Sequence, residues 1–420
     1  MRTNDEMRIL WESVMVRKGR LSEQAITFLS MVCIMWIGST ICGACQSLWA
    51  GTNSGIKWGD IIIVDDPPTY SDSSPIAKSA LDARNLQPGL FGDDYPRAVR
   101  LANGAWLMVY TTFRKGDPGY LANPRGGTCL VIDEGSADGR RWKQISTICD
   151  PGRDMDNGEF IQLKNGEILL GARSVRWQES YRLPVFRSLD MGHTWRYLSC
   201  FDDNEGKPGE LGKPDKGVYE PHFYLLDDAT LAVMYSTEKH VTEEPSYSQI
   251  VAEKISRDGG QTWGKEIWVS AGGAKDRPGM PVWTRMKNGK YVVVHENCGP
   301  QDCGIHSKTS DDGLHWATGG GSPVPSQRAA PYLLSLEDGR LILTSNNHHV
   351  SMSDDFGKSW FLVDSAFEGR PDMAFFSSIY QVSPNEIMLM TGLQRPQGGR
   401  RIAIRFGTLG PGGYQPVASK

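Results

Sequence analysis

A pattern of the form Ser-x-Asp-x-Gly-x-Thr-Trp recurs along this chain. SLDMGHTW ends at Trp195, SRDGGQTW at Trp263 and SDDFGKSW at Trp360, with a shorter SDDGLHW at Trp316 and a degenerate SADGRRW at Trp142. Five copies spaced about 44 to 68 residues apart are not chance. Between them runs a second pattern, in which apolar residues flank a turn dipeptide and an alternating stretch follows: VRLANGAWLMVY, IQLKNGEILLGA, FYLLDDATLAVMY, TRMKNGKYVVVH, LSLEDGRLILTS and YQVSPNEIMLM. Asn-Gly and Asp-Gly between apolar stretches signal hairpins, because the turn needs positive φ values that Gly, Asn and Asp tolerate best. In the first pattern Asp can accept turn amides, Gly can turn the chain and Trp can pack between sheets. Repeats of this size, without a helical period between them, mean four-stranded sheets arranged radially rather than a helical solenoid. The chain is therefore expected to be all-β, a six-bladed β-propeller over about residues 55–415, with RRIAIRFGTL closing the ring against the N-terminal DIIIVDD so that no edge is left open.

The first 50 residues differ in kind. Arg17, Lys18 and Arg20 precede AITFLSMVCIMWIGSTICGAC, the order of a secretory leader: basic region, apolar region, small-residue exit. Residues 1–50 are expected to be a signal peptide, with cleavage or lipid attachment at Cys45, or a retained membrane anchor. Either reading makes the propeller secreted or extracytoplasmic, whereas an overextended start codon, the remaining alternative, carries no such implication. A net charge of -4 with mixed signs argues against a nucleic-acid partner. Beyond the leader, five cysteines are too few and scattered to frame a disulfide mini-domain, although Cys298 and Cys303 stand close enough to clip a loop. None has zinc-site spacing, and DMDNGE is acid-rich but lacks a full calcium loop, so no metal or other cofactor is expected. A monomer is the default.

In a propeller the innermost strand of each blade begins near the central channel, which gathers residues distant in sequence. Such positions hold Asp93, Asp94 and Arg97 in GDDYPRAVRL, then Asp154, Asp156 and Glu159 in DMDNGEFIQL. Further along lie Glu220 in YEPHF, Asp276 and Arg277 in KDRPGMP, Glu296 in VVVHENCG, Arg328 in SQRAAP, and Arg370, Asp372 and Tyr380. Paired carboxylates in a sugar-sized cleft are what glycoside hydrolysis needs. Asp93 or Asp94, Asp156 and Asp276 could bind sugar hydroxyls or raise the acid's pKa. A solvated rim residue is the lesser reading of Glu220, and Glu296 ends an apolar run where an acid needs water or a partner. For Arg97, Arg277 and Arg328, ordinary ion pairing competes with substrate contact; His222, His240 and His295 read as partners of acids. Asp190, Asp258 and Asp355 read as structural turn residues.

The first pattern resembles the Asp-box of sialidases and their relatives, which marks a sialidase-like fold rather than a substrate. The ordered set YPRAVRLANG, VYEPHFYLLDDATLAVMYSTE, SRDGGQTW and KDRPGMPVWTRMKNGKYVVVHE is more specific. It resembles glycoside hydrolase family 93, the exo-α-L-arabinanases, six-bladed propellers that cleave linear α-1,5-L-arabinan from the non-reducing end with retention and release arabinobiose. The resemblance implies Glu220 as general acid/base, Glu296 as nucleophile and Tyr380 hydrogen-bonded beside the nucleophile. It also implies Arg97, Asp276 and Arg277 as substrate contacts, to which Asp94, Asp156, Tyr219, His222 and Arg328 are added by their setting. Tyr219 stands where the family has Trp, His222 where it has Phe and Pro278 where it has Gly, substitutions beside the acid that bear on which sugar fits.

Two other readings remain open. An exo-sialidase would need an arginine cluster around the substrate carboxylate, with Arg97, Arg277, Arg328 and Tyr380 available for recruitment. A noncatalytic carbohydrate-binding propeller would leave Glu220 and Glu296 far apart or turned from the channel.

Overall fold

The computed structural model describes residues 55–67, 92–112, 128–226, 228–299, 302–347, 349–367, 374–396 and 399–410. The leader expected over residues 1–50, together with Arg370 and Asp372, lies outside them. The described residues form six four-stranded antiparallel sheets and one short 3₁₀ turn at Lys239–Thr242, the all-β six-bladed propeller expected from the repeats.

Blade one comprises β2 (Asp93–Arg100), β3 (Trp106–Thr112), β4 (Cys129–Gly135) and β5 (Trp142–Ile148). Blade two comprises β6 (Asp154–Gln162), β7 (Ile168–Arg176), β8 (Ser180–Ser188) and β9 (Arg196–Glu205). Blade three is β10 (Val218–Leu225), β11 (Leu231–Thr237), β12 (Ile250–Ser256) and β13 (Ile267–Ser270). Blade four is β14 (Arg277–Arg285), β15 (Tyr291–Cys298), β16 (Gly304–Ser310) and β17 (Ser322–Arg328). Blade five is β18 (Tyr332–Ser335), β19 (Leu341–Thr344), β20 (His349–Ser353) and β21 (Phe361–Ser365). Blade six takes β22 (Ala374–Ser383), β23 (Glu386–Gln394) and β24 (Arg400–Thr408) from the end of the chain and β1 (Lys57–Asp65) from its beginning. There Ile61, Ile62 and Ile63 pair with Arg405, Ile404 and Ala403, which is the closure expected for DIIIVDD. The first strands of successive blades touch in an unbroken ring from β2 to β22 and back.

The second strand of each blade is covered by neighbouring blades on both faces, so it reads as a nearly continuous apolar run: WLMVY in β3 and LAVMY in β11 are buried throughout. The hairpin turns before these strands use Asn, Asp and Gly in separate roles. Gly104, Gly166, Gly289 and Gly339 take φ near 90°, while the preceding Asn or Asp accepts the amide two residues on, as Asn103 does from Ala105 at 3.0 Å and Asp338 from Arg340 at 3.0 Å. Only the Gly needs positive φ, and Asn or Asp is selected by its side-chain acceptor.

The Trp-ending repeats form the turns between third and fourth strands. In SLDMGHTW, Ser188 Oγ donates to Asp190 at 2.8 Å and accepts the Gly192 amide at 2.8 Å, while Asp190 accepts both the amide and hydroxyl of Thr194. Asp258 and Asp355 repeat these bonds, so all three are turn residues as expected. Blade six lacks the repeat because its third and fourth strands come from opposite ends of the chain.

Among the described residues two disulfides are formed. Cys298–Cys303 clips the loop suggested by their spacing, and Cys129–Cys149 ties β4 to the residue after β5, a pairing the spacing did not suggest. Cys200 is free.

Candidate active site

Each innermost strand approaches the channel mouth through the same irregularity. Tyr95, Asn157, Glu220, Met280, Ala330 and Phe376 all have φ between 45° and 57°, one per blade, and five coincide with a register shift in the ladder. Left-handed backbone at a non-glycine costs about 1–2 kcal/mol. Its sixfold recurrence makes it part of the architecture, a ring of bulges that re-aims one side chain per blade toward the mouth. Pro follows at positions 96, 221, 281 and 331. A bulge leaves an amide without a ladder partner, and Pro has none to leave.

Glu220 is the bulge residue of blade three. Its Oε2 accepts from Ser236 Oγ at 3.0 Å and from the Met280 amide of the next blade at 3.3 Å. Glu296 sits at the end of β15 and reaches to the following bulge in the same way, its Oε2 accepting the Ala330 amide at 2.7 Å. Its Oε1 lies 3.4 Å from the Cys298 sulfur, which is in a disulfide and has no proton to donate.

Both glutamates are half-buried and line one cavity of about 230 Å³ with Arg173, Tyr219, Gln249, Arg277 and Cys298. Burial pushes the Glu220 carboxyl up to about 7; the Arg173 guanidinium pulls it down and the Glu296 charge pushes it up again. Burial also raises Glu296, opposed by the Ala330 amide and by Arg277. The cavity therefore holds two carboxyls whose ionisation burial disfavours, and the Glu296 charge further disfavours that of Glu220.

The surrounding side chains are fixed by paired charges. Arg173 donates to Asp156 at 2.7 Å, and Asp156 also accepts Thr111 Oγ1 and the Asn157 amide, each at 2.7 Å. Buried Glu238 holds the opposite wall. Its Oε2 accepts the Tyr219 hydroxyl at 2.9 Å and the Gly217 amide at 3.0 Å, and its Oε1 pairs with Arg277, which also donates to Gln249 at 3.1 Å.

Of the residues singled out in the sequence, Glu220, Glu296, Tyr219 and Arg277 line the cavity, and Asp156 stands behind it through Arg173. The others lie elsewhere. Arg97 is buried in the channel, 3.7 Å from Glu159, bonded to the Pro96 and Phe376 carbonyls and flanked by the Tyr95 ring. His222 is also buried there against Tyr332, and burial together with Arg97 depresses it to about 3, so it is neutral. Tyr380 packs between Tyr332 and Trp106, its hydroxyl oxygen accepting the Ala98 amide at 2.8 Å, and is not among the cavity-lining residues. Asp94 is ion-paired with Arg400, Asp276 is half-buried beside Gly272, and Arg328 is exposed and paired with Asp302 at 2.6 Å. Among the described residues no group of three or more His, Cys, Asp or Glu could hold a metal ion.

Sequence reasoning missed Arg173, Ser236, Glu238 and Gln249. The first two carried a signal. Glu296 is the seventh residue after the turn residue Gly289, and the same count from Gly104, Gly166, Ala229, Gly339 and Asn385 gives Thr111, Arg173, Ser236, Asn346 and Gly392. In three blades that slot accepts the next blade's bulge amide, Ser236 Oγ from Met280, Glu296 Oε2 from Ala330 and Asn346 Oδ1 from Phe376, and Gly392 leaves room for Asp94 beside the bulge at Tyr95.

The fold resembles those of several solved structures. An α-L-arabinofuranosidase from Fusarium graminearum matches with a TM-score of 0.65 at 18% identity, over 83% of this chain and 98% of that one. An α-L-arabinanase from Penicillium chrysogenum, solved with arabinobiose, gives 0.64 at 19%, over 83% and 98%. A protein of unknown function from Dyadobacter fermentans gives 0.60 at 16%, over 85% and 100%. No family model matches the sequence. No curated protein matches it either.

Proposed function

We propose that this chain is an exo-acting glycoside hydrolase of the family 93 type, which cleaves linear α-1,5-L-arabinan from its non-reducing end with retention and releases arabinobiose. The observation that carries the reading is the meeting of Glu220 and Glu296, from different blades, in one cavity where Glu220 is raised to about 7. A carboxyl near neutrality can give a proton to the leaving glycosidic oxygen and take one back from water. Glu296, held by the Ala330 amide, is oriented to attack the anomeric carbon as that C–O bond breaks, forming a glycosyl ester. Water, deprotonated by Glu220, then attacks the same carbon and releases Glu296. The solved arabinan enzymes of the same fold support the choice of sugar.

The sialidase reading is weaker because no arginine clamp assembles. Arg97 is enclosed in the channel, Arg328 is paired outside the cavity, and Arg173 and Arg277 are each matched by a carboxylate. Such a cavity suits a neutral sugar. The binding-module reading requires the two glutamates to be apart, and they line one cavity. Placement outside the reducing cytosol, secreted or anchored through residues 1–50, is supported by the two disulfides.

The test is product analysis after incubation with linear arabinan, with sialyl-lactose as control. Arabinobiose with retained anomeric configuration at first release is the expected result. Free sialic acid, or no product from folded protein, overturns the proposal.

A further inference from the structure

Trp177 is 38% exposed, yet its ring has buried partners. Its Nε1 donates to Asp154 Oδ2 at 2.8 Å and its ring meets Tyr181 edge-on at 6.1 Å. The turn that carries it is fixed from both sides: the Gln178 amide donates to the Tyr181 hydroxyl at 3.1 Å, and the Gln178 carbonyl accepts the Leu211 amide at 3.0 Å. The Gln178 side chain packs so closely on Gly212 that a Cβ there would come within 2.5 Å of it.

This aromatic face is continuous with the cavity wall. The Arg173 guanidinium, which lines the cavity, lies 5.1 Å from the Trp177 ring and 5.3 Å from the Tyr219 ring, so a single buried cation joins the two. An indole with its polar edge satisfied and one face open to water offers a flat apolar surface at no further ordering cost. The C–H face of a sugar ring is the complement of such a surface. Because Arg173 is neutralised by Asp156, the platform carries no net attraction for an anionic ring.

We infer that Trp177 is the stacking platform for a second, neutral sugar ring of the bound chain, adjacent to the ring between Glu220 and Glu296; the inference rests on the glycoside hydrolase reading above and deepens it. It accounts for preference for a chain over a single sugar without any added charge.

The experiment titrates α-1,5-linked arabinotriose calorimetrically into the full chain carrying Glu296→Gln, with and without Trp177→Ala or Trp177→Phe. Affinity is expected to fall about tenfold or more with Ala, the scale of truncating a buried-edge Trp contact, and to recover partly with Phe. Phe keeps a ring in place, so it reads stacking even if the Ala variant fails to fold. Equal affinity in all three proteins overturns the platform while leaving the hydrolase reading intact. Absence of binding with Trp177 in place overturns both.

Discussion

At the scale of single residues, the site depends on a balance of charges around Glu220. Burial and Glu296 raise its pKa, and Arg173 opposes them. In a mechanism that needs Glu220 protonated, activity falls as pH rises through about 7, while the acidic limb marks protonation of Glu296. Removing the Arg173 cation withdraws the group that favours ionised Glu220. Arg173→Gln should therefore move the basic limb of kcat to higher pH, read from pH–rate profiles on linear arabinan; an unmoved or lowered limb would show that Glu220 does not set it. Glu296 was legible in the sequence because it ends a repeated apolar run with an acid, and Glu220 because its YEPHF segment resembles a family motif. Glu238 was not, since it follows a buried strand in a segment without a repeated counterpart, and its partners Tyr219 and Arg277 come from separate blades. Arg97 had the right neighbours in sequence and the wrong depth: two residues beyond the bulge, the chain has already entered the channel.

At the scale of elements, two local devices aim the side chains. One is the ring of bulges, the other the hairpin turn from which both the bulge and the next-blade contact are counted. Tyr95, Asn157, Glu220, Met280, Ala330 and Phe376 each stand nine residues before the second turn residue, so a slip in any turn would displace its site residue. Blades three and six depart from Gly at this turn position, with Ala229 and Asn385. Ala229 holds φ of 64° where four other blades place Gly. Ala229→Gly should stabilise the protein by about 1 kcal/mol, and Gly289→Ala, where φ is 89° and only Arg285 lies near, should destabilise it by a similar amount. Urea unfolding measures both; a loss of stability with Ala229→Gly would contradict the strain assigned to this turn. The hairpins and Trp-ending turns were readable because their residue types answer local demands. The bulges were hidden, since no residue type at those positions is shared and the demand comes from the neighbouring blade.

At the scale of the molecule, radial closure turns distance along the chain into proximity. β1 completes the blade begun by β22, β23 and β24, and the resulting ring sets blade three against blade four with Glu220 and Glu296 lining one cavity. The repeat count was enough to predict the architecture, but how deep each side chain sits and which arginines meet which carboxylates required the ring itself. The central claim is that these two carboxyls act as one catalytic unit. Steady-state kinetics of Glu220→Gln, Glu296→Gln and the double variant on linear arabinan test it most directly. Each single variant should lose about a thousandfold in kcat with thermal stability retained, and the double should be little worse than the weaker single, since residues acting together lose their effect together. A single variant that keeps more than about a tenth of the wild-type rate, or losses that multiply in the double, would contradict the account.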